Sequence, residues 1–175
     1  LVSYEASADP DVALKPVGDL ATEVPQPTDD GLTYTFTLRD GAMWNAPSGA
    51  RQITSADVER GFKRLCNPHM QASTLTYFTA LISGLGEFCD GFSKVEPTVE
   101  AMKAYIEGND VSGIETPDDA TVVFKLKERA GDFVYMLSLP MPAAAAVETL
   151  DYIPDSPDYR ANFVGNGPYT IGEYT

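Results

Sequence analysis

Thr33-Tyr34-Thr35-Phe36-Thr37-Leu38-Arg39 alternates without a break: Tyr34, Phe36 and Leu38 fall on one side, Thr33, Thr35, Thr37 and Arg39 on the other. A period of two marks a β-strand with one buried face. Thr121-Val122-Val123-Phe124-Lys125-Leu126-Lys127 repeats the pattern, hiding Val122, Phe124 and Leu126 and showing Thr121, Lys125 and Lys127 to water. Two half-buried strands of the same kind are expected in one sheet, paired antiparallel, since an antiparallel sheet tolerates one wet face. Asp29-Asp30-Gly31 and Pro117-Asp118-Asp119 are turn signals ahead of the two strands.

Between them the period changes to that of a helix. Thr54-Ser55-Ala56-Asp57 reads as a capping-box variant, with Thr54 at the N-cap and Asp57 at the third helical position. Val58, Phe62 and Leu65 then recur at i, i+4 and i+7, giving one apolar stripe that ends near Cys66, before Asn67-Pro68. A second apolar-periodic run takes in Tyr77, Phe78, Leu81, Ile82, Leu85 and Phe88, weakened by Gly84 and Gly86. A third, Val99, Met102 and Ile106, closes at Gly108. Asp132 is expected to cap a short helix over 133–139 that stops at Pro140.

The connecting segments carry less pattern. After the turn at Asp40-Gly41, Ala42-Met43-Trp44 leads into a polar loop over 45–52, and 140–157 is proline-punctuated and expected to be extended. The first thirty residues are broken by Pro16, Pro25 and Pro27. Leu1-Val2-Ser3-Tyr4 reads as a strand under way, and Tyr169-Thr170-Ile171-Gly172-Glu173-Tyr174 as one beginning, ends that suit a fragment. Strands and helices mix without strict alternation, so the fold class is α+β, a mixed or antiparallel sheet with packed helices.

A chain of 175 residues, 43% hydrophobic, can bury a core of its own. Its 12 basic and 26 acidic residues leave a net charge of −14, which repels phosphate backbones and anionic headgroups and argues against nucleic-acid partners. Cys66 and Cys89 lie outside any C-x-x-C motif, and the single histidine, His69, builds no zinc site with them on known spacings. The even pair points to a disulfide made in an oxidising compartment, ahead of two free buried thiols. Such a link would contribute roughly 3 to 3.5 kcal/mol through chain entropy.

Catalytic chemistry finds no footing. Ser48 and Ser55 lack a G-x-S-x-G elbow, a triad would have to use His69 beside Pro68, and no phosphate-binding or calcium loop is present. Gly84-x-Gly86 lacks the strand and third glycine of a dinucleotide site. Asp29, Asp30, Asp118 and Asp119 are explained by turns, and Glu96, Glu100 and Glu107 by a solvated helix face. Trp44, Tyr77, Phe78 and Tyr105 are candidates for an apolar pocket, against the plainer reading that each packs in the core.

Several segments together resemble one family. The stretch from Asp29 to Gly41 is similar to the DGLTYTFTLRDG segment of the family 5 extracellular solute-binding proteins, the peptide and nickel receptors of bacterial ABC importers. Trp44 followed by Ile53-Thr54-Ser55-Ala56-Asp57-Val58 resembles the family's W…TAxDV signature, and Gly61-Phe62-Lys63-Arg64 its GFxR. Lys15-Pro16 with Asp19-Leu20-Ala21-Thr22-Glu23, the stretch from Ile114 to Val122, and Val164-Gly165-Asn166-Gly167-Pro168-Tyr169 match further segments in the family's order. Asn166 stands where threonine is usual, and Ser48-Gly49-Ala50-Arg51-Gln52 is a longer link than the family's.

The resemblance implies a two-lobed, type II periplasmic-binding-protein architecture that closes on ligand like a hinged trap. Residues 1–175 would be a single partial domain: the peripheral subdomain of the first lobe, with edge strands of the main lobe at both ends. It implies capture of peptides or similar small solutes outside the membrane, by a monomeric cell-surface lipoprotein or periplasmic protein, and delivery to ABC permease subunits, without enzymatic activity or cofactor. Peptide, nickel-chelate and sugar binders share these outer motifs, so the ligand and its contact residues stay unassigned, and the motifs leave the Cys66–Cys89 pairing open. The alternative is a stand-alone cell-surface binding domain with no transport role.

Overall fold

The computed structural model describes residues 1–69, 72–167 and 169. Its centre is a three-stranded antiparallel sheet of β3 (Thr33–Thr37), β7 (Thr121–Lys125) and β6 (Ile114–Asp118), in the order β3-β7-β6. The register sets Tyr34 opposite Phe124 and Phe36 opposite Val122, so the two apolar faces read from the sequence coincide. Leu38 and Leu126 continue that face just beyond the strands, and all six side chains are buried. A one-residue slip would turn the whole set to water, so burial itself holds the register. Asp118 tightens the β6–β7 turn by accepting from the Ala120 N–H at 2.9 Å and the Thr121 hydroxyl at 3.0 Å.

Helix α2 (Ser55–Leu65) lies on the apolar face, with Val58, Phe62 and Leu65 buried as the stripe requires. Phe62 meets Phe124 edge-on at 5.2 Å between ring centroids and Phe78 at 5.4 Å, while Phe124 also contacts Phe36 and Phe133. Tilted and edge-to-face contacts of this kind add to the burial of each ring. The start of α2 is tied to the sheet, Ser55 donating through Oγ to the Asp118 carbonyl at 2.6 Å. Cys66, at the C-cap of α2, is joined to Cys89 by a disulfide.

The second apolar run is two helices rather than one. α3 (Leu75–Leu81) stops at Ile82, which bridges to Leu126 at the sheet edge, and α4 (Leu85–Phe92) restarts after Gly84 at φ +75°. Glycine adopts that left-handed conformation without the Cβ penalty, and Ser112 packs against Gly84 where a side chain would stand. α5 (Val99–Gly108) starts at Thr98, which accepts from the Ala101 N–H, and ends at Gly108 with Asn109 in an extended C-cap. α6 is shorter than expected, covering Phe133–Met136, and Asp132 at its start caps nothing with its side chain. That carboxylate accepts instead from the Tyr77 hydroxyl at 2.9 Å, a tertiary hydrogen bond no local pattern announces.

Two loop expectations also change. Residues 45–52 are not a loop: Met43–Ala46 (β4) and Gly49–Gln52 (β5) form an antiparallel hairpin that turns at Gly49, φ +115°. Trp44 and Ala46 alternate inward with Met43 and Asn45 outward, a period too short to stand out in sequence. The hairpin covers a small second core of Trp44, Ala46, Ile53, Ala146 and Val164. The 140–157 segment, expected to be extended, holds a 3-10 helix at Val147–Asp151, fixed to α5 by Lys103 and Asp151 at 2.6 Å.

At the N-terminus, β1 (Val2–Tyr4) pairs antiparallel with β2 (Pro16–Gly18) around a short α1 (Pro10–Ala13). α7 (Pro157–Ala161) follows the 3-10 helix. Of the strand expected from Tyr169 to Tyr174, all but Tyr169 lies outside the described residues. Among the described residues no helix is long and apolar enough to cross a membrane. The α+β class with antiparallel sheets is the one expected.

Candidate functional site

Helix α2 has a second face. Asp57, Arg60, Gly61 and Arg64 fall at i, i+3, i+4 and i+7, one line along the helix beside the apolar stripe. Residues 143–146 are laid against this line. A Cβ on Gly61 would stand 2.2 Å from the Ala143 carbonyl oxygen, so only glycine allows the approach. The Ala145 N–H donates to the Asp57 carbonyl at 2.8 Å, and Arg60 Nη1 donates back to the Ala145 carbonyl at 3.0 Å.

The N-terminal end of this face is a closed polar cluster around Asp57. Its buried carboxylate accepts from Trp44 Nε1 at 2.9 Å, the Thr54 N–H at 3.0 Å, Arg51 at 3.0 and 3.3 Å, and Arg60. The Thr54 bond is the reciprocal arm of the capping box. Arg51 reaches on to Glu148 of the 3-10 helix, through Nε at 3.2 Å and Nη2 at 3.0 Å. Burial alone would raise the Asp57 pKa, but the hydrogen bonds from Arg51, Thr54 and Trp44 and the Arg60 charge outweigh it and hold the carboxyl below its ordinary value. Hydrogen bonding from Arg51 likewise lowers Glu148. One carboxylate thus clamps helix, hairpin and the 143–146 segment together, with its acceptor capacity used up.

The C-terminal end of the face is open. Arg64 and Pro140 sit between two adjoining clefts. One, of about 440 Å³, runs between Leu65, His69 and Ala72 on one side and Met141, Asp155 and Tyr159 on the other. The second, of about 330 Å³, is walled by Trp44, residues 143–146, and 163–167 with Phe163 half exposed. The hairpin holds its far wall: Asn45 donates through its N–H to the Gly165 carbonyl at 2.8 Å and through Nδ2 to that of Gly167 at 3.0 Å. Arg64 Nη1 donates to the Tyr159 hydroxyl at 2.8 Å, and Tyr159 is placed by α7, whose N-cap Ser156 accepts the Tyr159 N–H at 3.1 Å. Apolar side chains, backbone groups and one guanidinium suit non-covalent binding of a small polar solute.

The residues singled out in the sequence scatter. Trp44 is buried on the second core and also borders the smaller cleft. Phe78 is fully buried, Tyr77 is bound to Asp132, and Tyr105 stacks on Phe92 at 5.1 Å while donating to the Phe88 carbonyl at 3.0 Å. The four therefore make no common pocket. Burial, then the Asp132 hydrogen bond, push the Tyr77 pKa up. His69 borders the larger cleft with its N–H on Asn67 Oδ1 at 2.9 Å. Ser55 is spent on the sheet, and Ser48 is exposed in the hairpin turn. Among the described residues no group of three His, Cys, Asp or Glu is placed to hold a metal. Arg64, Tyr159 and the 143–146 wall were missed, although the i, i+3, i+4, i+7 line ending at Arg64 was a readable signal.

The comparisons with known proteins agree with this architecture. The family model for bacterial extracellular solute-binding proteins, family 5 (middle), matches residues 15–175. The dipeptide-binding protein DppE of Bacillus subtilis (strain 168) is 29% identical over 153 residues, 83% of this chain and 23% of its own. Di/tripeptide-binding protein 1 of Pseudomonas aeruginosa (strain UCBPP-PA14) is 25% identical over 158 residues, 84% of this chain and 25% of its own. Among solved structures, clavulanic acid biosynthesis oligopeptide binding protein 2 superposes with a TM-score of 0.75 at 25% identity, covering all of this chain and 28% of its own. Haemophilus influenzae OppA in complex with RPPGFSPFR gives 0.70 at 21% identity, with 100% and 30% covered, a likeness of fold. The chain spans about a quarter of the length of the curated relatives it matches. From the capped strand-and-helix core to this match along residues 15–175, the conclusion is that the chain belongs to the bacterial extracellular solute-binding proteins, family 5.

Proposed function

We propose that this chain is the peripheral subdomain of the first lobe of a receptor that captures peptides or similar small solutes outside the membrane and delivers them to an ABC permease. The observation that carries the reading is the family match along residues 15–175. The site's form supports it: two open clefts with apolar and backbone walls, bordered by one cation, form one side of a binding surface. The dipeptide- and di/tripeptide-binding relatives make peptide the favoured solute. In the whole receptor a second lobe closes over this wall, and ligand enclosure and hinge closure together provide affinity. No step makes or breaks a covalent bond, and the protein works as a monomer without cofactor.

An open wall alone offers too little enclosure to offset the cost of immobilising a ligand. Equilibrium dialysis of a tripeptide and tetrapeptide library against the full-length receptor and against residues 1–175 tests this. The full-length protein should retain peptides with dissociation constants of about a micromolar or tighter, and the isolated chain should retain none below roughly a millimolar. Micromolar binding by residues 1–175 would overturn the two-lobe trap. Failure of the full-length receptor to retain any peptide would overturn peptide as the solute.

A further inference from the structure

The asparagines of the chain are Asn45, Asn67, Asn109, Asn162 and Asn166, and the fold treats the last unlike the rest. Asn45 donates through Nδ2 to the Gly167 carbonyl at 3.0 Å, Asn109 to the Tyr105 carbonyl at 2.9 Å and Asn162 to the Asp158 carbonyl at 2.9 Å. Asn67 donates to Met102 Sδ at 3.4 Å and accepts the His69 N–H at 2.9 Å. Asn166 is exposed, and its amide has no partner among the described residues. The residue that follows each asparagine separates them again: Ala46, Pro68, Asp110, Phe163 and Gly167. Proline has no N–H, and Ala46, Asp110 and Phe163 each set a side chain beside theirs. Gly167 sets none, and its exposed N–H has no acceptor among the described residues.

We propose that Asn166 is a site of spontaneous covalent modification, losing its side-chain amide to attack by the Gly167 nitrogen. That nitrogen gives up its proton and bonds to Asn166 Cγ, the Cγ–Nδ2 bond breaks, and ammonia leaves, closing a cyclic succinimide. Water, the only co-reactant, then opens the ring. Attack at Cγ leaves an aspartyl residue, and attack at the main-chain carbonyl carbon leaves an isoaspartyl residue with an extra atom in the main chain. Either product puts a carboxylate on the wall of the smaller cleft, which Asn166 and Arg64 both border. The isoaspartyl product also lengthens the main chain between the Gly165 and Gly167 carbonyls. Asn45 holds those two groups at 2.8 and 3.0 Å, so this product draws the pair of bonds apart. The wall therefore gains charge and changes shape as the protein ages, whatever solute the receptor takes.

The test incubates the folded full-length receptor in oxygen-18-labelled water and follows each asparagine-containing peptide by mass spectrometry with fragmentation. Position 166 should take up label ahead of the other asparagines and yield a mixture of aspartyl and isoaspartyl products. Gly167→Ala, which sets a methyl group beside the attacking nitrogen, should slow that uptake several-fold. Its fold should stand, because a Cβ at Gly167 meets no atom within 4 Å, and a thermal melt matching the wild type checks this. Asn166→Thr should remove the label from this peptide altogether. Uptake at position 166 no faster than at the other asparagines overturns the proposal. So does an aspartyl product alone, which would mean direct hydrolysis, or an unchanged rate in Gly167→Ala. None of these outcomes touches peptide binding, so the receptor reading stands or falls separately.

Discussion

Replacing Asp57 by Ala removes the carboxylate that joins α2, the β4–β5 hairpin and the 143–146 segment. In the folded chain that group is almost wholly buried and takes hydrogen bonds from Trp44, Thr54, Arg51 and Arg60. The capping arm alone is worth about 1 kcal/mol. Breaking a buried charged cluster from one side costs about 3–5 kcal/mol, because the partners are left desolvated and unpaired. Arg51 keeps Glu148 and is partly exposed, which argues for the lower end, about 3 kcal/mol. In a chain of this size that lowers Tm by roughly 6–12 °C. Urea denaturation of the wild type and Asp57→Ala at pH 7 measures it directly. The folded pKa of Asp57 lies below its unfolded value, so its contribution is present above about pH 3.9 and is lost as pH falls through the folded pKa. The gap between wild type and variant should therefore hold from pH 7 to 5 and shrink only in acid below that range. A loss under about 1 kcal/mol at pH 7, the value of a cap alone, would refute the clamp.

Phe36→Ala or Phe124→Ala should each cost about 3–5 kcal/mol, since both rings are fully buried in one edge-to-face cluster; a denaturation midpoint that barely moves would sink the core assignment. Gly61→Ala should destabilise the chain despite alanine's better helix propensity, because its Cβ would lie 2.2 Å from the Ala143 carbonyl oxygen. Equal or higher stability of that variant in thermal melts would mean that the 143–146 segment does not lie against α2.

Much of the fold was legible because its central elements carry long, clean periods. The alternation in β3 and β7 and the i, i+4, i+7 stripe of α2 each required several residues to agree, and burial enforces that agreement. The hairpin over 43–52 escaped notice because each strand has four residues, only Trp44 and Ala46 of β4 point inward, and β5 buries none of its own. The break between α3 and α4 was hinted at by Gly84, but its cause is the bridge from Ile82 to Leu126, a contact 44 positions away in sequence. Asp132 was assigned a local cap and makes a distant hydrogen bond instead, because Tyr77 arrives within reach only after the core has closed.

From the amino-acid order alone came the α+β class, the antiparallel pairing of the two strands, the cap and face of α2, and a resemblance to the family, all properties set within short windows or by an ordered series of them. The tertiary structure decided what those windows cannot hold. It placed the 143–146 segment against Gly61, gathered Arg51, Asp57, Arg60 and Glu148 into one cluster, and set Arg64 against Tyr159 at the border of two clefts. Whether a charged side chain is spent or available depends on what packs beside it from distant parts of the chain, and that is settled only when the chain has folded.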